Sequence, residues 1–191
     1  MEKPYKGRAT IQDNFTDLQI TIPAKRNWFT IIFLAVWLGG WLTGEIFALV
    51  MVTGLFGKNP AGFFILFWLV GWTVGGFFAF RTFIWNVMGK EIITVGQGQL
   101  MVAKKGAFFF KPKDYDLNEV KNIRVKDDTS GFDGLFSGQR SEFWLFNNGG
   151  VIRFDYGLQT IKIAGGIDEA EAKFIISKLK DQHVLTERNY S

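Results

Sequence analysis

Two apolar stretches decide the fold of this chain: residues 28–52 read WFTIIFLAVWLGGWLTGEIFALVMV, and residues 61–85 read AGFFILFWLVGWTVGGFFAFRTFIW. Each is 25 residues long, and about 20 predominantly apolar residues are enough for a helix to cross the hydrocarbon core of a bilayer. Only three residues between their outer ends are charged: Glu45, Lys58 and Arg81. The pattern predicts two membrane-spanning helices.

The linker between the two stretches, residues 53–60, reads TGLFGKNP and has the Gly, Asn and Pro of a tight turn. The alternative is a pair of buried helices in a soluble protein, but a chain of 191 residues could hardly cover two such helices. We therefore expect an integral membrane protein with a transmembrane hairpin over residues 28–88.

The flanking charges predict an orientation. Lys25 and Arg26 precede the first helix, Arg81 and Lys90 bracket the end of the second, and the connecting loop carries only Lys58. The positive-inside rule then places both termini in the cytoplasm, for a multi-pass protein of the cytoplasmic (inner) membrane. The four flanking cations are candidates for contact with lipid headgroups.

Each apolar stretch contains a GxxxG motif, formed by Gly40 and Gly44 in the first and by Gly71 and Gly75 in the second. At 1.5 Å per residue the two pairs lie at similar depths, roughly 15 to 24 Å from the cytoplasmic ends of the helices. Because small residues let helix backbones approach closely, we expect these glycines to pack against each other. Two threonines, Thr43 and Thr73, could add interhelical hydrogen bonds.

Glu45 is the only ionisable residue well inside the apolar stretches. Intramembrane carboxylates are costly and often mark proton or substrate paths. The alternative is a side chain near the outer headgroups that accepts a hydrogen bond from the indole of Trp68 or Trp72.

After residue 88 the hydrophobic period changes to two, which predicts a soluble β domain over residues 89–183. Residues 147–150, NNGG, are a strong hairpin signal. A helix follows through Asp181, with Asp168 as N-cap and Glu171 at N3, as in a capping box. Seven strands are predicted: Glu91–Val95, Gln99–Lys105, Phe108–Tyr115, Val120–Lys126, Glu142–Phe146, Val151–Asp155 and Gln159–Ala164.

Seven strands followed by one amphipathic helix predict a PH-like β barrel or sandwich that the helix caps, so the fold class is an α+β membrane protein. Residues 1–27 form a juxtamembrane segment in which Arg8–Gln12 and Leu18–Ile22 could be short strands of the same sheet. Residues 184–191 are expected to be a tail.

This architecture resembles bacterial PH-domain-containing membrane proteins, and it is similar to the photosystem I assembly-protein family that has a two-helix anchor. In residues, the resemblance is concentrated at 22–28, IPAKRNW, and at 85–91, WNVMGKE, where the second helix enters the first strand. The resemblance implies a non-catalytic scaffold or assembly-factor role and identifies no client.

The residues needed for common chemistry are scarce. There are no cysteines and one histidine, His183, so disulfides, thiolate metal sites and histidine triads are not expected. No phosphate-binding loop or dinucleotide motif occurs, and the net charge of +4 forms no basic stripe for nucleic acid. We therefore expect no catalytic residues, no metal and no cofactor, hence no enzyme. The acidic pairs Asp114/Asp116 and Asp127/Asp128 fit solvated turns.

Two surfaces remain as candidates for binding. The long connection from Asp127 to Arg140 carries three apolar residues, which either meet a protein partner or the membrane or fold back onto the barrel: Phe132, Leu135 and Phe136. Lys104 and Lys105 could touch anionic headgroups or simply protect a strand edge.

The sequence thus predicts a protein that is surrounded by membrane lipids and presents a PH-like domain to a protein partner at the cytoplasmic face, with specific headgroup binding not expected and only loose attraction to the lipid surface left open. The alternatives are an accessory subunit of a transport or secretion complex and a lipid-surface-sensing module. The oligomeric state stays open.

Overall fold

A computed structural model describes residues 7–55, 60–106, 108, 110–125 and 150–190. The chain divides into two compact units: Arg26–Val87 is one, and Met1–Lys25 together with Met88–Ser191 is the other. The second unit is therefore built from both ends of the chain, with the first inserted between them.

The inserted unit consists of two helices, α1 (Trp28–Leu55) and α2 (Pro60–Met88). Both are long and apolar enough to span a membrane, and only 11% of the most apolar window of each is buried. The side chain of Asn27 accepts a hydrogen bond from the Thr30 amide at 3.3 Å and so caps α1. Proline at the first position of α2 is favourable because no intrahelical donor is needed there.

The first sheet of the other unit is antiparallel and has the order β1-β2-β3-β4-β5. The expectation that the N-terminal segment adds strands to the sheet is confirmed, since β2 pairs with β3 from Asp17 opposite Gly96 to Pro23 opposite Lys90. The strands are β1 (Thr10–Asn14), β2 (Asp17–Pro23), β3 (Lys90–Gly96), β4 (Gln99–Lys105) and β5 (Lys113–Asp116).

The second sheet is also antiparallel and contains β6 (Val120–Val125), β7 (Gly150–Tyr156) and β8 (Gln159–Gly165). It is followed by α3 (Glu169–Asp181) and a 3₁₀ turn over Glu187–Asn189. The expected strand Glu142–Phe146 and the NNG of the hairpin signal lie outside the described residues.

The strand expected over Phe108–Tyr115 is shorter in the structure, where β5 begins only at Lys113. Pro112 lacks an amide hydrogen and cannot donate to the ladder, so pairing begins after it. The turn between β3 and β4 is as expected: Gln97 and Gly98 have φ of 51° and 77°, the positive values of a tight hairpin turn.

One apolar core joins the two sheets and α3. Its largest fully buried side chains come from both sheets and from the helix: Phe154, Ile20, Ile22, Ile93, Ile175, Val95 and Val120. Two of these belong to β2, so the N-terminal segment is part of the core.

The structure also extends the domain past residue 183, where the sequence indicated a tail. Leu185 is buried in the core. Asn189 is buried too, and its side-chain amide donates to the carbonyls of Leu117 at 2.7 Å and Val120 at 2.8 Å. These bonds attach the C-terminal segment to the connection between the two sheets.

Candidate functional site

The helices α1 and α2 share a polar contact. The hydroxyl of Thr73 lies 2.7 Å from Oε1 of Glu45 and 2.8 Å from the carbonyl of Leu69, and its single proton can serve one of them at a time. The other carboxylate oxygen of Glu45, Oε2, is buried without a hydrogen-bond partner among the described residues. Thr73, and not Trp68 or Trp72, is therefore the hydrogen-bond donor to this carboxylate among the described residues.

Of the four glycines in the GxxxG motifs, only Gly44 lies at a contact between the two helices. A Cβ added at Gly40, Gly71 or Gly75 would meet no atom within 4 Å, while one at Gly44 would touch the ring of Trp72 at 3.8 Å. Glycine-to-glycine packing is thus not how these helices meet.

The close approach occurs instead between Trp41 and Gly76. A Cβ at Gly76 would overlap the indole of Trp41, whose Nε1 donates to the carbonyl of Trp72 at 3.2 Å. Gly75 is one residue away, about 100° around the helix, which removes it from the contact. The residues in contact or buried follow one helical stripe on each helix: Trp41, Gly44, Glu45 and Ala48 on α1, and Leu69, Trp72, Thr73 and Gly76 on α2.

This stripe has no distinct signal in the sequence, since Gly76 belongs to no GxxxG motif. Gly75 and Gly76 are adjacent, and only the rotation of α2 decides which of them faces α1. A large residue opposite a small one, here Trp41 opposite Gly76, was the available clue.

The candidate headgroup contacts lie at one end of the first sheet, between β2 and α1, or on α2. Lys90 and Lys105 are directly opposite each other in the ladder between β3 and β4, and both are exposed. The Nζ of Lys104 lies 5.3 Å from the ring centroid of Phe110. Lys25 and Arg26 are exposed, and Arg81 on α2 is partly buried.

The sequence did not indicate that Glu91, next to Lys90 at the same end of the first sheet, is buried. The carboxylate of Glu91 is 4% exposed and accepts a hydrogen bond from the Gly165 amide at 2.9 Å. Burial raises the pKa of Glu91, which the charge of Lys104 and the amides of Gly165 and Ala164 partly counteract. This carboxylate joins β3 to the end of β8.

Glu171 and Arg8 make a second attachment. The expected N-cap is confirmed, since Asp168 accepts from the Glu171 amide at 2.8 Å. The Glu171 side chain, however, accepts from the amide of Ala9 at 2.6 Å. Arg8 donates to the carbonyls of Gly166 at 2.6 Å and Ala24 at 2.9 Å. Both side chains hold the N-terminal segment against the C-terminal half of the domain.

Replacing Glu91 should reveal its role. Glu91→Ala leaves a buried amide unsatisfied and should lower the free energy of unfolding by about 1–3 kcal/mol, whereas Glu91→Gln keeps an acceptor and should stay close to the parent. Because the folded pKa is raised above its ordinary 4.5, the native state binds more protons than the unfolded state, and stability should fall as pH rises through the raised pKa. Glu91→Gln should abolish that pH dependence.

These outcomes can be read from thermal unfolding of the full chain in detergent, followed by circular dichroism at several pH values. Glu91→Ala melting like the parent would contradict the structural role.

The remaining acidic and basic candidates are surface groups. Asp116 is the last residue of β5 and its carboxylate accepts from the Asn118 amide in the following turn at 2.9 Å. Asp114 lies within β5, so the expectation that both belong to a turn is wrong for Asp114. Asp114 and His183 are exposed. Arg124 lies 2.9 Å from Asp155. Hydrogen bonds from Arg124, and also from Thr160 and Asn122, lower the pKa of Asp155 to about 2, so the pair of Arg124 and Asp155 stabilises β6 on β7.

Residues 126–149 are outside the described part of the chain, and with them Phe132, Leu135, Phe136 and Asp127/Asp128. Within the described residues no three His, Cys, Asp or Glu side chains are grouped so that they could hold a metal ion. Comparisons with protein-family models, with curated proteins and with solved structures give no match.

Proposed function

We propose that this chain is a non-catalytic binding or scaffold protein, anchored in the cytoplasmic membrane by α1 and α2, which presents a PH-like domain to a protein partner at the cytoplasmic face. The observation that supports the proposal most directly is that the buried polar side chains are hydrogen-bonded to the backbone of the protein itself. Those that are buried in the described domain are Glu91, Glu171 and Asn189, and each is hydrogen-bonded to backbone groups. They serve the fold and are not directed at a ligand.

The membrane anchor is supported by the surface of the helices. Phe67 is 82% exposed, Phe29 79% and Val36 74%, and α1 and α2 together carry many more exposed apolar side chains. Monomeric soluble proteins rarely expose apolar patches larger than a few hundred Å². Lipid tails would solvate such an apolar surface favourably.

A PH-like assignment is supported by two antiparallel sheets, a shared apolar core and a C-terminal helix packed on it. Inside this core lies a cavity of about 20 Å³ between the sheets and α3, lined by side chains such as Ile93, Phe154 and Ile175. It has room for about one water molecule. A small-molecule ligand would not fit there, which favours recognition at the surface.

The partner-binding surface that we propose includes Phe132, Leu135 and Phe136. The described part of the domain adds two apolar side chains at the tips of turns: Phe15 between β1 and β2, and Leu158 between β7 and β8, both fully exposed. Apolar residues on turns and loops commonly serve recognition because burial on binding stabilises a complex.

The test is affinity purification of the full chain from membranes in mild detergent. We expect Phe132→Ser/Leu135→Ser/Phe136→Ser to abolish co-purification of the partner at unchanged expression and unchanged melting temperature. The double variant Phe15→Ser/Leu158→Ser is the comparison that shows whether the turns contribute. If both variants retain every co-purifying protein, the proposed surface is wrong.

A second candidate, an accessory subunit of a membrane complex, is favoured by the unpaired Oε2 of Glu45 within the helix pair. A donor from a neighbouring helix would satisfy it. Photo-crosslinkers can be placed at Phe47 or Phe67, which are exposed on the helices. An accessory subunit would give crosslinks to other membrane proteins, whereas a scaffold that binds its partner through the β domain would give crosslinks only to lipid.

A further inference from the structure

The connection between β4 and β5 begins where the chain leaves α2. Lys105, the last residue of β4, lies opposite Lys90, the first residue of β3. Gly106 follows with φ of +85°, and a Cβ there would be 3.0 Å from the Cα of Gly89 and 3.4 Å from the carbonyl of Met88. Met88 is the last residue of α2, so Gly106 lies within a few ångströms of the point where the chain leaves this helix.

The side chains of this connection suit a lipid surface. Phe108 is 45% exposed, and Lys105 and Lys111 on either side of it are exposed as well. Phe110 is half-buried beneath the ammonium of Lys104, at 5.3 Å from the ring centroid. Aromatic rings next to lysines with long apolar stems are the side chains that partition into the headgroup region of a bilayer.

The charges of the sheet are distributed to match an anionic surface. Several exposed cations lie at the ends of elements: Lys25 and Arg26 precede α1, Lys90 opens β3, Lys105 ends β4 and Lys111 precedes β5. The carboxylate of Glu91 is buried at this end. Asp114 and Asp116 are opposite Met101 and Gln99, which at about 3.3 Å per residue places them roughly 13 and 20 Å along the strand from Lys105.

We propose that Lys105, at the end of β4, and Phe108 and Lys111, which follow it before β5, dock on the surface of an anionic bilayer, with Phe108 inserted among the headgroups and the two lysines at lipid phosphates. This docking rests on the membrane anchoring proposed above and adds to it a lipid-binding surface in the β domain. An anionic lipid surface is preferred over a protein partner because Gly106 approaches Met88 and Gly89, the residues through which the chain leaves a helix that is long and apolar enough to span a membrane.

The experiment uses single-cysteine variants of the full chain, which contains no cysteine of its own. An environment-sensitive fluorophore is attached at Phe108→Cys, and the labelled protein is reconstituted in nanodiscs with or without phosphatidylglycerol. Lipids that carry a quencher near the headgroup report contact with the bilayer. Phe15→Cys is the matched control, because Phe15 is an exposed phenylalanine on a turn at the opposite end of the same sheet.

We expect the probe at 108 to be blue-shifted and quenched in anionic discs and the probe at 15 to be neither. Lys105→Gln/Lys111→Gln should lower the docked-to-undocked ratio in anionic discs by about fivefold for each lysine removed. The label at position 108 replaces the phenylalanine, so a second probe at Pro112→Cys is needed to test the ring itself. Quenching of the probe at 112 should fall when Phe108→Ser removes the ring.

A third probe at Phe67→Cys in α2 separates the two hypotheses. If the probe at 67 is in lipid while the probe at 108 is in water, or if 108 and 15 are quenched equally, the docking proposal is overturned and the anchor stands. If the probe at 67 is itself in water, the membrane anchoring is overturned. If quenching of the probe at 112 is the same with and without Phe108→Ser, the insertion of the Phe108 ring is also overturned.

Discussion

Replacing residues 26–87 by a short flexible linker should give a protein that is monomeric in water without detergent and keeps the β structure of the full chain. The hairpin is inserted between two segments whose ends already touch: the Ala24 amide donates to the carbonyl of Gly89 at 2.9 Å, and Pro23 pairs with Lys90. A linker of about four residues can close such a gap. The replacement removes the exposed apolar side chains and keeps the core.

Circular dichroism, size-exclusion chromatography and dispersion of amide NMR signals would measure this outcome. Loss of cooperative unfolding in the linked protein would mean that the helices are needed for the fold of the domain, contrary to this prediction.

The same linked protein tests the N-terminal strands. Leu18, Ile20 and Ile22 of β2 are 1–2% exposed, and full burial of such a side chain is worth about 1.5–3 kcal/mol, against a total stability of about 5–15 kcal/mol for a domain. Ile20→Asp, or residues 88–191 expressed alone, should therefore be unfolded. Gln19→Asp, on the other face of the strand, is the matched control and should remain folded. A fragment 88–191 that folds alone would show that β2 is dispensable.

Gly76→Leu should separate or distort the helix pair, whereas the same change at its neighbour should not. Even a Cβ at Gly76 overlaps the Trp41 indole, and that ring cannot simply rotate away without losing its hydrogen bond to the carbonyl of Trp72. Overpacking of this kind costs about 1–3 kcal/mol.

The measurement is unfolding of the full chain in mixed detergent micelles, followed by tryptophan fluorescence, because Trp72 stacks on Trp68 at a centroid distance of 4.8 Å. Gly75→Leu and Gly71→Leu are the controls, since a Cβ at either position meets no atom within 4 Å. If Gly75→Leu is as damaging as Gly76→Leu, the helices pack through the GxxxG motif after all.

Local patterns predicted most of the described elements. The strand Gln99–Lys105 was predicted with the bounds that the structure gives, and the helix through Asp181 with Asp168 as its cap is confirmed. Period-two alternation and capping residues act within a few positions of the chain, so one sequence suffices to find them. The third strand was overextended because apolar phenylalanines before Pro112 resemble strand residues.

Local sequence patterns do not specify contacts between distant segments of the chain. Glu171 was predicted as part of a helix cap, yet its carboxylate accepts from the amide of Ala9, 162 residues away. In the same way the choice of Gly76 over Gly75 depends on a rotation of about 100°, which GxxxG spacing does not specify.

The sequence by itself determined that the chain has two helices fit for lipid and a β domain around them, because hydropathy and periodicity are properties of neighbouring residues. Only the tertiary structure decided that β2 completes the core, that Trp41 packs on Gly76, and that Gly106 approaches Met88 and Gly89. The physical reason is that burial and hydrogen bonding between distant segments depend on how those segments are brought together, and a linear pattern carries little information about that.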